Sequence, residues 1–212
     1  MDINRVKRNE LLGARIIKGL ESRNMEGYYA QTKEEALAKA LELIPEGSFV
    51  GWGGSMSIKE IGLKDAVCTG NYKVFNRDVC KTPEEKRQVE LATYDCDFFI
   101  TSANAITEDG VMVNIDGNAN RVSAIAYGPR SVVMIVGMNK AVKSVEDAVS
   151  RARNEAAPIN AERFDLDTPC CKNGMCFDCK SPDTICCQIM ITRFSKVPKR
   201  IKVILVNEEL GF

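Results

Sequence analysis

Two rhythms of apolar and polar positions run along this chain. Short apolar runs rich in β-branched and aromatic residues occur at SFVGW (48–52), DFFIT (97–101), QIMIT (188–192) and RIKVILVN (200–207). They predict strands. SVVMIV (131–136) has no polar alternation at all, which predicts a strand buried on both faces. GYYA (27–30) and YKVFN (71–76) are weaker strand candidates, and VSAIA (122–126) is apolar but too short to assign. The slower rhythm is helical. Val6, Leu12, Ile16, Ile17 and Leu20 form one stripe over residues 4–23, and Leu37, Ala40, Leu41 and Ile44 form another.

Polar punctuation sets the boundaries. Thr32 with Glu35 is a capping box, and Pro45-Glu46-Gly47 ends the helix it opens. Ser57 with Glu60 reads as a second box, opening a helix to about Val67. Thr82 precedes Pro83, Glu84 and Glu85, a favourable first turn. Ser144 opens a helix to about Ala156. Strands alternating with helices imply right-handed βαβ units, hence an α/β fold with a mostly parallel central sheet flanked by helices. No repeat is visible. The one shift of composition, at Thr168, suggests an α/β domain over 1–167 that includes the N-terminal helices. A cysteine-rich insertion follows at 168–187, and strands in 188–212 complete the same domain.

Three polar segments follow predicted strands, where such sheets form their ligand crevice. The first is GWGGSMSIKEIG, with Gly51, Gly53, Gly54, Ser55 and Ser57. Bare amides ahead of a helix suit a carboxylate or phosphate; a tight turn with capping serines is the plain alternative. The second is a long loop after DFFIT carrying Asn104, Asp109, Asn114, Asp116, Asn118, Asn120 and Arg121. Two Asp-Gly turn signals and this density of polar side chains suggest a binding surface; Asx-turns around a hairpin explain the same residues. The third is GMNK, where Asn139 and Lys140 follow SVVMIV. Asp109 and Glu60 are the candidate acid–base residues, Glu60 having a helix-capping alternative.

Composition narrows the chemistry. The 212 residues carry 29 Lys+Arg and 29 Asp+Glu, which argues against a nucleic-acid binder. No apolar run nears the roughly 18 residues of a membrane span. The start, MDINRVKRNELL, lacks a leader's apolar centre. A soluble cytoplasmic protein is expected. There is no histidine, so imidazole chemistry within one chain is excluded. Nine cysteines are present. Cys170, Cys176, Cys179 and Cys186 have the spacing C-x5-C-x2-C-x6-C, enough thiolates for tetrahedral zinc or an iron–sulfur cluster. A redox dithiol and purely structural thiols stay open. Cys68, Cys80 and Cys96 read as small core residues.

GWGGSMSIKEIGL, AITEDGVMVNIDGNANRVSAIAYGP and VGMNK resemble the lactate-utilisation (LUD) domain family. TPCCKNGMCFDCKSPDTICC and RIKVILVNEELGF resemble a longer subgroup of it. The likeness spans roughly residues 4–212 and implies a fold like that of ribose-5-phosphate isomerases and CoA transferases. It implies ligand loops at Gly53, Gly54 and Ser55; Asn104, Asn114, Asp116, Asn120 and Arg121; and Asn139 with Lys140. Cys170, Cys176, Cys179 and Cys186 are its matching cysteines, and its redox company favours an iron–sulfur cluster and electron transport over zinc or no metal. Where the family pattern has glycine this chain has Ala119, which would be strained at positive φ. The expected function is binding of a small anionic metabolite by a subunit that supports oxidation of lactate or a related hydroxy acid, alongside iron–sulfur protein subunits. Two rivals remain: a stand-alone isomerase or acyl transferase acting on a phosphorylated or CoA-linked substrate, and a non-catalytic sensor or assembly subunit. Homo-oligomerisation stays open.

Overall fold

The computed structural model describes residues 2–212. In chain order the first half contains α1 (Ile3–Ser22), β1 (Glu26–Ala30), α2 (Lys33–Leu43), β2 (Phe49–Trp52), α3 (Met56–Glu60), α4 (Leu63–Thr69), β3 (Lys73–Val74), α5 (Pro83–Ala92) and β4 (Phe98–Thr101). The second half contains β5 (Ala105–Thr107), β6 (Met112–Asp116), α6 (Asn120–Ala126), β7 (Ser131–Gly137), β8 (Ala141–Val142), α7 (Val145–Arg151), α8 (Ala157–Arg163), α9 (Pro169–Asn173), β9 (Gln188–Thr192) and β10 (Ile201–Val206).

Six strands form an all-parallel sheet in the order β1-β10-β7-β4-β2-β3. This is the α/β architecture the sequence rhythm predicts. β7 lies inside the sheet, and its side chains alternate between two cores. Val132, Met134 and Val136 meet Ile16 and Leu20 of α1 and Ile125 of α6. Val133 and Ile135 meet Ala36 and Ala40 of α2, Ile58 of α3 and Leu63 of α4. A run with no polar alternation is what burial on both faces requires. The last strand, β10, also lies in the interior, between β1 and β7.

Several elements differ from the sequence reading. Ser55, not Ser57, caps α3: its extended backbone lets its hydroxyl accept from the Ile58 amide. The helix then breaks at Gly62, whose φ of 74° ends α3 and starts α4. The YKVFN strand shrinks to Lys73–Val74. The Ser144 helix continues past Ala156 through a π-helical turn, Ala152–Ala156, into α8. The long polar loop is instead a buried hairpin, β5–β6, turned at Asp109-Gly110 with Gly110 at φ 85°. It belongs to a second sheet of order β8-β5-β6-β9, whose Ala105, Val113 and Ile115 pack on Ala148 of α7 and Ala152 of the π-helical turn. Its polar residues hid it, because Asn114 and Asp116 sit on buried strand positions. Cys96 is buried, but Cys68 is exposed and Cys80 only half-buried, so neither of these two is a core residue.

Candidate functional site

β7, β4 and β2 are neighbours in the sheet. Their carboxyl ends therefore place Met138–Lys140, Ser102–Asn104 and Gly53–Ser55 side by side, as open parallel sheets do at their ligand crevice. A cavity of about 560 Å³ opens there. Of the residues singled out from sequence, Gly54, Ser55, Asn104, Asp116, Asn118, Asn120, Arg121 and Lys140 line it. Gly53, Asn114 and Asn139 stand behind the wall. A Cβ on Gly53 would lie 2.7 Å from Cγ of Arg121, so glycine is what lets this side chain lie flat on the turn. Asn114 donates to the Ser102 carbonyl at 3.0 Å, and Asn139 Oδ1 accepts from the Leu210 amide at 3.1 Å.

Arg121 organises the wall. Its Nε and Nη2 meet Asp116 Oδ1 at 2.9 and 2.8 Å. The same guanidinium donates to the Ser102 carbonyl at 3.1 Å, Asn104 Oδ1 at 2.8 Å and the Ile115 carbonyl at 2.9 Å. Asp116 in turn accepts from the amides of Arg121 and Val122 at 3.0 and 2.8 Å, capping the first turn of α6. Arg151, 7% exposed, ties two site loops together through the carbonyls of Asn104 and Asn139.

Ala119 precedes α6 at φ 59° and ψ 1°, in the left-handed region. That conformation costs an L-residue roughly 1–2 kcal/mol, offset in part by the larger unfolded-state entropy of glycine, about 0.4–1 kcal/mol. Ala119→Gly is therefore expected to raise unfolding stability by roughly 0.5–1 kcal/mol, read from the urea midpoint at unchanged slope.

Lys140 is 3% exposed. Its Nζ donates to Ser57 Oγ at 2.9 Å and Ser102 Oγ at 3.2 Å, and it forms no ion pair among the described residues. Burial pushes its amine down to about 7. Arg151 and Arg121 push the same way, and Glu60 opposes them.

The two acid–base candidates lie outside the lining. Glu60 is exposed and accepts from the Gly211 amide at 2.9 Å. Asp109 sits on the hairpin turn against α1, its side chain 61% exposed. A hydrogen bond from Thr107, followed by the Arg23 guanidinium, holds its carboxyl below the ordinary range. The sequence reading left Ser102, Arg77, Lys86, Arg87, Glu90 and Arg163 without a role, yet all line the cavity. The polar turn right after a buried strand could have flagged Ser102. Nothing local distinguishes the charges of α5 or α8 from a solvated face.

The four spaced cysteines also share one place. Cys170, Cys176, Cys179 and Cys186 line a second cavity of about 140 Å³ with Thr168, Phe177, Ile185 and Ile189. All nine cysteines are free thiols. Asp178 N–H and Arg153 Nη2 donate to Cys176 Sγ at 3.4 and 3.5 Å. Burial, and next the neighbouring sulfurs of Cys176, Cys170 and Cys179, push the Cys186 thiol up to about 11. The side chains face one space without converging on a point: among the described residues no three His, Cys, Asp or Glu stand close enough to hold one ion as placed. No described helix is long and apolar enough to cross a membrane.

A family model described as the LUD domain matches residues 13–206. No curated protein sequence matches the chain. Among solved structures it is similar to one described as a DUF162 family protein from Deinococcus radiodurans, at 14% identity and a TM-score of 0.53, covering 94% of this chain and 98% of that one. That likeness is one of fold. A fainter one, with a TM-score of 0.37 and 14% identity, covers 55% of this chain and 45% of eIF2B beta from Chaetomium thermophilum.

Proposed function

Because this chain belongs to the LUD domain family, a membership that supports a lactate-utilisation-type protein, we propose that its larger cavity binds a small carboxylate-bearing metabolite. The ligand class is a hydroxy acid such as lactate, or the 2-oxo acid formed on oxidising it. The chain serves as a subunit supporting that oxidation.

One observation carries the reading, the charge balance of the lining. Five cations face the cavity (Arg77, Lys86, Arg87, Arg121 and Arg163), with the Lys140 amine beside them, against two carboxylates, Glu90 and Asp116. Arg77 pairs with Glu90 at 2.8 Å and Arg121 with Asp116. Removing those two pairs leaves Lys86, Arg87, Lys140 and Arg163 with no carboxylate partner among the described residues. A concave surface lined by one sign of charge concentrates the opposite ion. The rival reading as a stand-alone isomerase or acyl transferase would need acid–base groups other than Asp109 and Glu60, which lie outside this lining.

Cys170, Cys176, Cys179 and Cys186 would hold an iron–sulfur cluster, with zinc as the other ion suited to four thiolates. Their donor set fits, and the N–H groups on Cys176 Sγ are the kind of contact that tunes such sulfurs; closing on an ion requires the segment 170–187 to tighten. A cluster there would supply one-electron transfer to a partner subunit. Metal and sulfide analysis of anaerobically isolated protein decides between cluster, zinc and bare thiols.

The anion reading is tested by thermal unfolding. Lactate and pyruvate are expected to raise the midpoint at low ionic strength, by linkage to the folded state. The rise shrinks as salt screens the cavity. Propane-1,2-diol, which lacks the carboxylate, leaves the midpoint unchanged. A midpoint indifferent to both acids at low salt overturns the reading.

A further inference from the structure

The hydrogen bonds around Lys140 make a directional argument. Ser57 Oγ donates its own proton to the Leu210 carbonyl at 3.3 Å, and Ser102 Oγ donates to the Ala103 carbonyl at 3.2 Å. In that arrangement each hydroxyl accepts from Lys140, and Nζ donates to both. Those two bonds use both N–H bonds of a neutral amine. The remaining tetrahedral position has no protein partner among the described residues, and Lys140 lines the cavity. In the neutral amine that position is the lone pair. A lysine with no ion-pair partner among the described residues, walled by Arg121 and Arg151, is held toward the neutral form by desolvation and like charge, which outweigh the opposing pull of Glu60.

We propose that Lys140 is a carbonyl-capturing nucleophile, forming a reversible imine with a small 2-oxo acid whose carboxylate is held by the cationic lining. This rests on the anion reading above and deepens it: the bound species becomes the carbonyl acid, captured covalently. Nζ attacks the carbonyl carbon and a C–N bond forms. The amine proton passes to the carbonyl oxygen to give a carbinolamine. The C–O bond then breaks, the hydroxyl leaves with the second amine proton as water, and the imine remains, so the step needs no oxidant or reductant. Ser57 and Ser102 orient the nitrogen and remain unmodified. Unpaired lysines in apolar or cationic surroundings are the ones that do this chemistry at neutral pH.

The test is reductive trapping. Full-length protein is incubated with pyruvate and sodium cyanoborohydride near neutral pH, then analysed by intact mass and peptide mapping. The expected result is one reduced adduct per chain, mapping to Lys140, formed faster than on any surface lysine. Excess lactate slows it by occupying the cavity without a carbonyl. Lys140→Arg, confirmed folded by its unfolding midpoint, loses that adduct. Adducts spread over surface lysines at similar rates, or absent from Lys140, overturn the proposal. If the midpoint still rises with pyruvate in that case, the anion reading stands and only the imine fails; if neither is seen, both fail.

Discussion

Replacing Arg121 with alanine is expected to lower the free energy of unfolding by roughly 3–5 kcal/mol, the range for breaking one partner out of a buried ion pair. The reason is what the side chain leaves behind. Asp116, 9% exposed, keeps its two backbone amides but loses the guanidinium. The carbonyls of Ser102 and Ile115 and the amide oxygen of Asn104 each lose a donor in a buried setting. The arginine stem that fills the space over Gly53 also disappears. Lysine should restore the charge but not the planar fork that reaches four acceptors, so Arg121→Lys recovers only a minor part of the loss. Urea unfolding at constant slope measures both. A cost under about 1 kcal/mol would mean the network is not what holds β4, β6 and α6 together.

The second large effect depends on pH. The Lys140 amine ionises at about 7 in the folded protein, against 10.5 for an ordinary lysine. At about 1.36 kcal/mol per unit this corresponds to roughly 5 kcal/mol of burial penalty, an order-of-magnitude figure. The sign follows from proton counts. Below about pH 7 the lysine is charged in both states and the penalty is complete. Between about pH 7 and 10.5 the unfolded chain binds a proton that the folded chain lacks, so stability rises with pH; above that the penalty is gone. Lys140→Met removes the buried charge and leaves Ser57 and Ser102 bonded to their carbonyls. Relative to wild type it should gain several kcal/mol at about pH 6 and almost nothing at about pH 10.5. Taking the difference between two proteins cancels other titrating groups. The groups facing Lys140, namely Arg121, Arg151 and Glu60, are common to both. A pH-independent difference would place the amine in a setting that does not oppose its charge.

How much of this was legible in the sequence varied with the physics involved. The β-branched run 131–136 could only be a doubly buried strand, and Thr82-Pro83 with Glu85 could only open a helix; both stand as read. Gly54, Ser55 and Lys140 share one cavity because parallel strands put successive turns at one sheet edge, and Asp116 reaches it from the end of β6 in the second sheet. The hairpin β5–β6 was obscured by its own function: polar groups buried in a hydrogen-bonded network look like loop residues in a linear pattern. Ser57 looked like a cap, and only the folded chain shows its hydroxyl between Lys140 and the Leu210 carbonyl. Nothing in the linear pattern marks the charges of α5 and α8 as site residues, and only tertiary structure brings Lys86, Arg87 and Arg163 to one cavity. Ala119 is the instructive opposite, since a single side chain where glycine is usual announced a strained turn, and φ is 59° there.

The unpaired cations at the sheet's carboxyl edge are the feature on which the proposed metabolite pocket depends. Isothermal titration of lactate at low ionic strength tests it, using wild type and the double variant Arg87→Gln/Arg163→Gln. One saturable site per chain is predicted for wild type, weakened about tenfold or more in the variant, which is about 1.4 kcal/mol. No saturable heat in wild type, or equal affinity in the two proteins, would contradict the assignment of this cavity as an anion site.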